Sequence, residues 1–118
     1  MSDRPELSLS PEDAKIVTLA RSVRARTRAH EGACVRDLDG RTYAGATVEL
    51  PSLRLSAVAV AVAMAASSAA TGLEAVAVLG DADSVSAEDL AVVRDFAGPG
   101  VPVLRGGPDG RGLEQHRS

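Results

Sequence analysis

The chain has 118 residues, with 13 Lys and Arg against 16 Asp and Glu, for a formal net charge of −3. This length predicts one domain with a single core and argues against two independent ones. The mild acidic excess gives no general attraction to nucleic acid or to anionic membranes, so we expect neither as a partner.

Cysteine usage and the N-terminus indicate the compartment. Cys34 is the single cysteine, which excludes an intramolecular disulfide and a zinc site built from several thiolates. Asp3, Arg4 and Glu6 interrupt any secretory signal, so we expect a cytoplasmic protein without a membrane span. The uncharged stretch from residue 55 to residue 73 is long enough to span a membrane, but its Ala, Ser and Val composition favours a buried helix of a soluble protein.

The first predicted element is a helix that follows a flexible N-terminal arm at residues 1–9. Ser10 can cap this helix, and Pro11 suits its first position. Apolar residues at helical spacing continue it to about residue 26. Four arginines lie near its end: Arg21, Arg24, Arg26 and Arg28. We interpret them as a solvated cationic face near a helix C-terminus in preference to a phosphate or partner site.

A β-hairpin and a central helix are predicted next. Residues 32–36 and 41–48 have strand character, and the turn pair Asp39-Gly40 separates them. Residues 53–70, which are uncharged from residue 55 onwards, have the length of a helix, and Gly72 lies where such a helix would end.

The second half of the chain alternates strands and helices. Residues 75–79 form an apolar run typical of an interior strand, and Ser86 can cap a helix that continues to residue 97. Residues 101–104 predict a last strand near a sheet edge, because Pro102 cannot donate to a ladder. Residues 105–118 are rich in glycine and polar residues and predict a flexible tail. The order α-β-β-α-β-α-β indicates an α/β domain with a mixed sheet packed by helices.

Residues 32–98 resemble the zinc-dependent cytidine deaminases in the order of their elements and in several short motifs. The matching motifs are Gly32-Ala33, Asp39-Gly40-Arg41-Thr42-Tyr43, Gly45, Val48-Glu49, Ser52, Leu55-Ser56 and Arg94-Asp95-Phe96. The resemblance implies that residues 10–104 form a cytidine deaminase-like domain.

The resemblance also places the catalytic positions, and there the chain departs from the family. Such enzymes hold a zinc ion whose bound water attacks cytosine, and a glutamate carries protons. The first ligand and this glutamate fall on Val58 and Val60, and the other two ligands fall on Ser86 and Asp89. A valine can neither bind zinc nor carry a proton. We interpret Ser86 and Asp89 as a helix cap in preference to metal ligands, so we expect no catalytic residues, no metal site and no cofactor.

The positions for nucleoside recognition are partly retained. The family's Asn-x-Glu, which binds the ribose, corresponds to Thr47-Val48-Glu49, so Thr47 and Glu49 are the candidate substrate-binding residues. The family's aromatic residues fall on Arg26 and Ala29, which offer no ring surface. Glu49 could equally be a solvated surface acid.

Three functional hypotheses follow from the sequence. The first is an inactive cytidine deaminase-like protein that acts by self-association, by binding a partner or by binding a nucleoside-like ligand. It predicts a homo-oligomer, a tetramer or a dimer, that associates through Leu53 to Ala70, because this apolar helix has no polar face. The second, which is the alternative, is an active cytidine deaminase with an unrecognised metal site. The third is a small-molecule binder that retains the nucleoside pocket, with valines filling the former metal cavity. A nucleophilic pair of Cys34 and His30 is rejected, because their spacing does not orient a thiolate towards a base.

Overall fold

The computed structural model describes residues 8–118, so most of the arm predicted at residues 1–9 lies outside the described residues. The elements, in chain order, are α1 (Pro11–Thr27), β1 (Glu31–Asp37), β2 (Thr42–Ala46), β3 (Val48–Leu50), β4 (Leu53–Leu55), α2 (Ala57–Ser67), β5 (Leu73–Gly80), α3 (Ala87–Ala97), β6 (Pro102–Gly106) and β7 (Glu114–Arg117).

The main sheet of the described residues has five strands in the order β2, β1, β5, β6 and β7. β5 and β6 run parallel, whereas the other neighbouring strands are antiparallel. β1 and β2 form a hairpin, and Gly40 in its turn has a φ of +84° that glycine adopts at little cost. The predicted mixed sheet and its antiparallel hairpin are therefore confirmed.

The helices cover both faces of this sheet. α1 packs on one face through Ile16 and Ala20, which share a buried cluster with Cys34 of β1 and Leu79 of β5. α2 and α3 lie on the other face, in a larger cluster that includes Val58, Val62 and Val93 together with alternate residues of the strands. Successive residues of a strand point to opposite faces, so β1 and β5 supply apolar side chains to both clusters. The result is a three-layer α/β/α domain.

Each of the three helices begins at a serine in extended conformation whose hydroxyl accepts a hydrogen bond from a main-chain amide in the first turn. The capping residues are Ser10, Ser56 and Ser86. The predicted helix starts at Ser10 and Ser86 are confirmed.

The prediction for the central helix is wrong at its start. Leu53–Leu55 is not helical but forms β4, which pairs with β3 in a short hairpin. The helix begins only after the cap at Ser56 and ends at Ser67. The composition of residues 53–70, uncharged apart from Arg54, hid this hairpin, because leucine and arginine suit a helix as well as a strand. With α2 this short, no helix in the part of the chain that the structure describes is long and apolar enough to span a membrane.

The C-terminal segment also differs from the prediction. Residues 114–117 form β7, which pairs with β6, whereas a flexible tail was predicted from residue 105. β6 therefore lies inside the sheet and not at its edge. Pro102 is tolerated because it is the first residue of its strand. Ser118 ties the end of the chain down, since its amide donates to the carbonyl of Val101 and its hydroxyl donates to that of Gly98.

Candidate functional site

The four positions that the resemblance assigns to catalysis lie at the adjoining starts of α2 and α3. Val58 and Val60 are in the first turn of α2, and Ser86 and Asp89 are at the start of α3. Asp89 is joined to Ser56, the cap of α2, by a hydrogen bond of 2.6 Å. The fold thus brings the two halves of the site together, as the resemblance implies, but with different side chains.

Val58 and Val60 both serve packing. Val58 is fully buried and belongs to the same apolar cluster as Val85 and Val93. Val60 is half-buried and packs against the backbone of β2, so closely that a β-carbon on Gly45 would lie 2.6 Å from Val60 Cγ1. Neither side chain has a lone pair or a transferable proton, so neither can take part in the chemistry of a deaminase.

Ser86 and Asp89 have separate tasks. The hydroxyl of Ser86 accepts a hydrogen bond of 3.1 Å from the amide of Asp89, as a helix cap does. The sequence suggested that the carboxylate of Asp89 completes this cap, but in the structure it does not. It accepts a hydrogen bond from the hydroxyl of Ser56, the cap of the neighbouring helix, because the starts of α2 and α3 are adjacent. The side chain of Asp89 is nearly enclosed, since only 7% of the residue is exposed.

We call the place where the starts of α2 and α3 meet the corner. Its residues do not fit a zinc ion. Structural and catalytic zinc sites take at least three ligands from cysteine, histidine or carboxylate side chains. Across residues 8–118, no group of three or more such side chains is placed to hold a metal. At the corner itself, Asp89 is the one conventional ligand among the three ligand positions.

A cleft of about 350 Å³ opens beside the start of α2. It is lined by His30, Glu31, Thr47, Ser56, Asp81 and Ala82. Asp81 and Ala82 directly follow β5, so the cleft lies at the carboxyl end of that strand, where ligands of α/β folds often bind.

The two candidate substrate-binding residues occupy different places around this cleft. Thr47 lines it, but its hydroxyl already accepts a hydrogen bond of 3.1 Å from the amide of Glu31 and donates to the carbonyl of the same residue. Glu49 lies on β3 with its carboxylate exposed, and its Oε1 is 3.3 Å from Nε2 of His30. His30, which lines the cleft, thus contacts Glu49 at its rim, whereas Cys34 is buried in the core.

Arg105 is a buried cation that the sequence did not single out. Only 4% of the residue is exposed, and its Nη2 lies 2.7 Å from Oε2 of Glu31. Its Nε donates to the carbonyl of Ala82, at 2.8 Å. These contacts fix Glu31 and the loop after β5, and so they shape one wall of the cleft. The sequence placed Arg105 at the start of a flexible tail, and only the pairing of β6 with β5 and β7 reveals its burial.

Cys34 is not a nucleophile. It packs under α1 in the cluster of Ile16 and Ala20, and burial raises the pKa of its thiol to about 11. The thiol therefore stays protonated at neutral pH, which agrees with the rejection of a nucleophilic pair of Cys34 and His30.

Comparison with known proteins identifies the fold. The family model described as cytidine deaminase-like matches residues 9–110. Among curated proteins, none matches the chain. A solved cytidine deaminase from Burkholderia pseudomallei is 17% identical, with a TM-score of 0.75, over 93% of this chain and 92% of that one. One from Mycobacterium leprae is 19% identical, with a TM-score of 0.68, over 86% and 91%. One from Mycobacterium tuberculosis is 23% identical, with a TM-score of 0.65, over 79% and 82%.

Proposed function

The chain belongs to the cytidine deaminase-like family, and within that family we propose that it is a non-catalytic member that acts by associating with a second copy of itself. The observation that carries the loss of catalysis is the burial of Val58 at the position of the first metal ligand. A water activated by zinc and a positioned proton carrier are both required for the family's reaction. Val58 and Val60 supply neither.

Association is supported by the uncovered side of α2. This helix has no charged residue, and it buries one face through Ala57, Val58, Ala61, Val62 and Ala65. Its opposite side leaves Ala63, Met64 and Ala66 exposed, with 39% of Met64 accessible. A helix that is apolar all round gains stability when both sides are covered. Alanines on this side would let a second helix approach closely.

The hairpin before α2 extends this apolar surface along the chain. Leu50 and Leu53 face each other across β3 and β4 and are 54% and 48% exposed. We define the α2 surface as five exposed apolar residues of this hairpin and helix: Leu50, Leu53, Ala63, Met64 and Ala66. We propose that a second copy covers it in a homo-oligomer, a tetramer or a dimer, whose contacts lie within residues 53–70 and the adjoining Leu50.

Light scattering coupled to size exclusion tests the association at micromolar concentration. A mass of two or four chains supports the proposal, whereas a well-folded monomer over the whole concentration range contradicts it. The loss of catalysis is tested separately, by metal analysis of protein purified with zinc present and by an assay of cytidine deamination. One zinc per chain, or turnover that persists after repurification, would favour the alternative of an active deaminase.

The cleft beside α2 supports a second candidate function, the binding of a nucleoside-like ligand. Thr47 lines the cleft, and Glu49 contacts His30 at its rim. Thr47 and Glu49 are the two positions that the resemblance assigns to ribose binding. Calorimetric titration with cytidine and uridine tests this candidate. Saturable binding that Glu49→Gln weakens would support it, and the absence of heat at millimolar ligand would exclude it.

The cytoplasm is the proposed compartment, as Cys34 is a free thiol.

A further inference from the structure

The starts of α2 and α3 are joined by a short chain of hydrogen bonds at the corner where the family holds its metal. The hydroxyl of Ser56 donates to Oδ1 of Asp89 at 2.6 Å and accepts from the amide of Ala59 at 3.1 Å. The amide of Asp89 in turn donates to the hydroxyl of Ser86 at 3.1 Å. Two helix caps that are far apart in sequence thereby meet at one residue, Asp89, whose carboxylate bonds Ser56 and whose amide bonds Ser86.

We infer that Asp89 is the residue that holds α2 and α3 together in this chain, and that it does so without a metal. The inference rests on the proposed absence of zinc and adds to it a specific replacement. A zinc ion bound by both helix starts would link them through its ligands. Here the Ser56–Asp89 hydrogen bond makes that link across 33 residues of sequence.

The electrostatics of the corner favour a carboxylate there. Asp89 lies in the first turn of α3 and contacts the cap of α2. The N-terminus of a helix carries a partial positive charge, so the carboxylate faces the positive ends of two helix dipoles. A nearly enclosed charge is costly unless it is compensated, and hydrogen bonds to charged groups are stronger than those between neutral ones.

The apolar part of the corner complements this polar link. Val58 fills the position of the first ligand and belongs to the buried cluster that contains Val85 and Val93 of the α3 segment. The two helices therefore share a buried apolar cluster as well as the link through Asp89. Removing the carboxylate alone should loosen the helix starts while this apolar contact remains.

A double-mutant cycle tests the link. Ser56→Ala removes the cap of α2 as well as the link, and Asp89→Ala removes the link and a dipole charge, so only their coupling isolates the contact. We expect the double variant to raise the equilibrium constant for unfolding about tenfold less than the product of the two single effects. Glu88→Gln is the matched control, because Glu88 is exposed in the same first turn. This substitution removes a negative charge there without removing the hydrogen bond to Ser56.

A second cycle with Asp89→Asn keeps the test decisive if Asp89→Ala does not fold. An asparagine oxygen can still accept from Ser56, so the coupling should shrink without vanishing. Amide hydrogen exchange gives a local readout, since Ser56→Ala should speed exchange at Asp89 and Leu90 in the other helix. Additive effects in both cycles, with exchange in α3 unchanged, would overturn the inference even if the protein proves free of zinc.

Metal analysis separates this inference from the proposed function. The inference and the proposed function are both supported if the wild-type protein melts at the same temperature with zinc and with chelator and the double-mutant cycle shows coupling between Ser56 and Asp89. Stoichiometric zinc that raises the melting temperature would overturn the proposed function and, with it, the role of Asp89 as the replacement. Coupling that is absent in a zinc-free protein would overturn the inference alone.

Discussion

The hydroxyl of Tyr43 donates a hydrogen bond of 3.0 Å to the carboxylate of Asp37, across the hairpin of β1 and β2. The amides of Asp39 and Arg41 donate to the other oxygen of this carboxylate, each at 2.9 Å. Burial would raise the pKa of Asp37, but the hydrogen bonds from Arg41, Tyr43 and Asp39, together with the charge of Arg41, hold it below its ordinary value. The ionised carboxylate therefore organises the turn.

The depressed pKa of Asp37 predicts how acid affects stability. A carboxylate whose pKa is lower in the folded state stabilises the fold above its unfolded pKa of about 4 and loses this effect as pH falls through the folded value. We expect Asp37→Asn to lower the melting temperature by a few degrees at pH 7 and by less and less below pH 4. Asp39→Asn is the control, because Asp39 contributes only its amide to the turn. A difference that stays constant with pH would contradict the prediction.

The burial of Cys34 predicts its reactivity. Because burial raises the pKa of the thiol to about 11 and encloses it under α1, a thiol reagent at pH 7.5 should modify the folded protein only when it opens. We expect labelling to be slower by several orders of magnitude than in 6 M guanidinium chloride. Rapid labelling of the native protein would show that α1 does not stay packed on the sheet.

The two sides of α2 predict opposite results for the same charged substitution. Ala61 is fully buried in the domain core, so Ala61→Glu should unfold the monomer, since an unpaired buried charge costs several kcal/mol. Met64 is partly exposed, so Met64→Glu should leave the domain folded but break the oligomer. Circular dichroism and light scattering check the two outcomes. A Met64→Glu variant with unchanged oligomeric mass would place the interface elsewhere.

This contrast also shows where sequence patterns are sufficient and where they are not. The caps at Ser10 and Ser86, the Asp39-Gly40 turn and the apolar run of β5 are local signals, and each predicted its element. α2 alternates Ala and Val over its first turns, and Ser67 at its end is its one polar residue, so periodicity could not tell which side faces the sheet. Only the packed structure shows that Ala61 lies in the core and Met64 does not.

The long-range contacts of the candidate site were also beyond the sequence. The valines at positions 58 and 60 predict that the aligned positions carry no metal chemistry, but no pattern pairs Ser56 with Asp89 or Glu31 with Arg105. Those pairs depend on how helices and strands distant in sequence meet. The strand β7 was missed for a similar reason, since residues 114–117 carry charges that suit a solvated tail as well as an edge strand.

The corner between α2 and α3 predicts that a metal site can be restored. If Val58, Ser86 and Asp89 occupy the ligand positions, the triple variant Val58→Cys, Ser86→Cys and Asp89→Cys places three thiolates at the starts of two adjacent helices. We expect it to bind one zinc per chain and, with cobalt, to show the absorption of thiolate coordination.

Stability gives this prediction a second readout, because Asp89→Cys also removes the link to Ser56. The metal-free triple variant should melt below the wild type, and zinc should raise its melting temperature. The expected gain in the free energy of unfolding is about 2.7 kcal/mol when the free metal is 100 times the dissociation constant. The matched control carries Val62→Cys in place of Val58→Cys, which moves the third thiol one turn along α2 to another buried site. Equal zinc affinity in both variants would show that position 58 does not face the corner.

The restored site should still not deaminate cytidine, because Val60 carries no proton. Adding Val60→Glu is the one further change that should allow turnover.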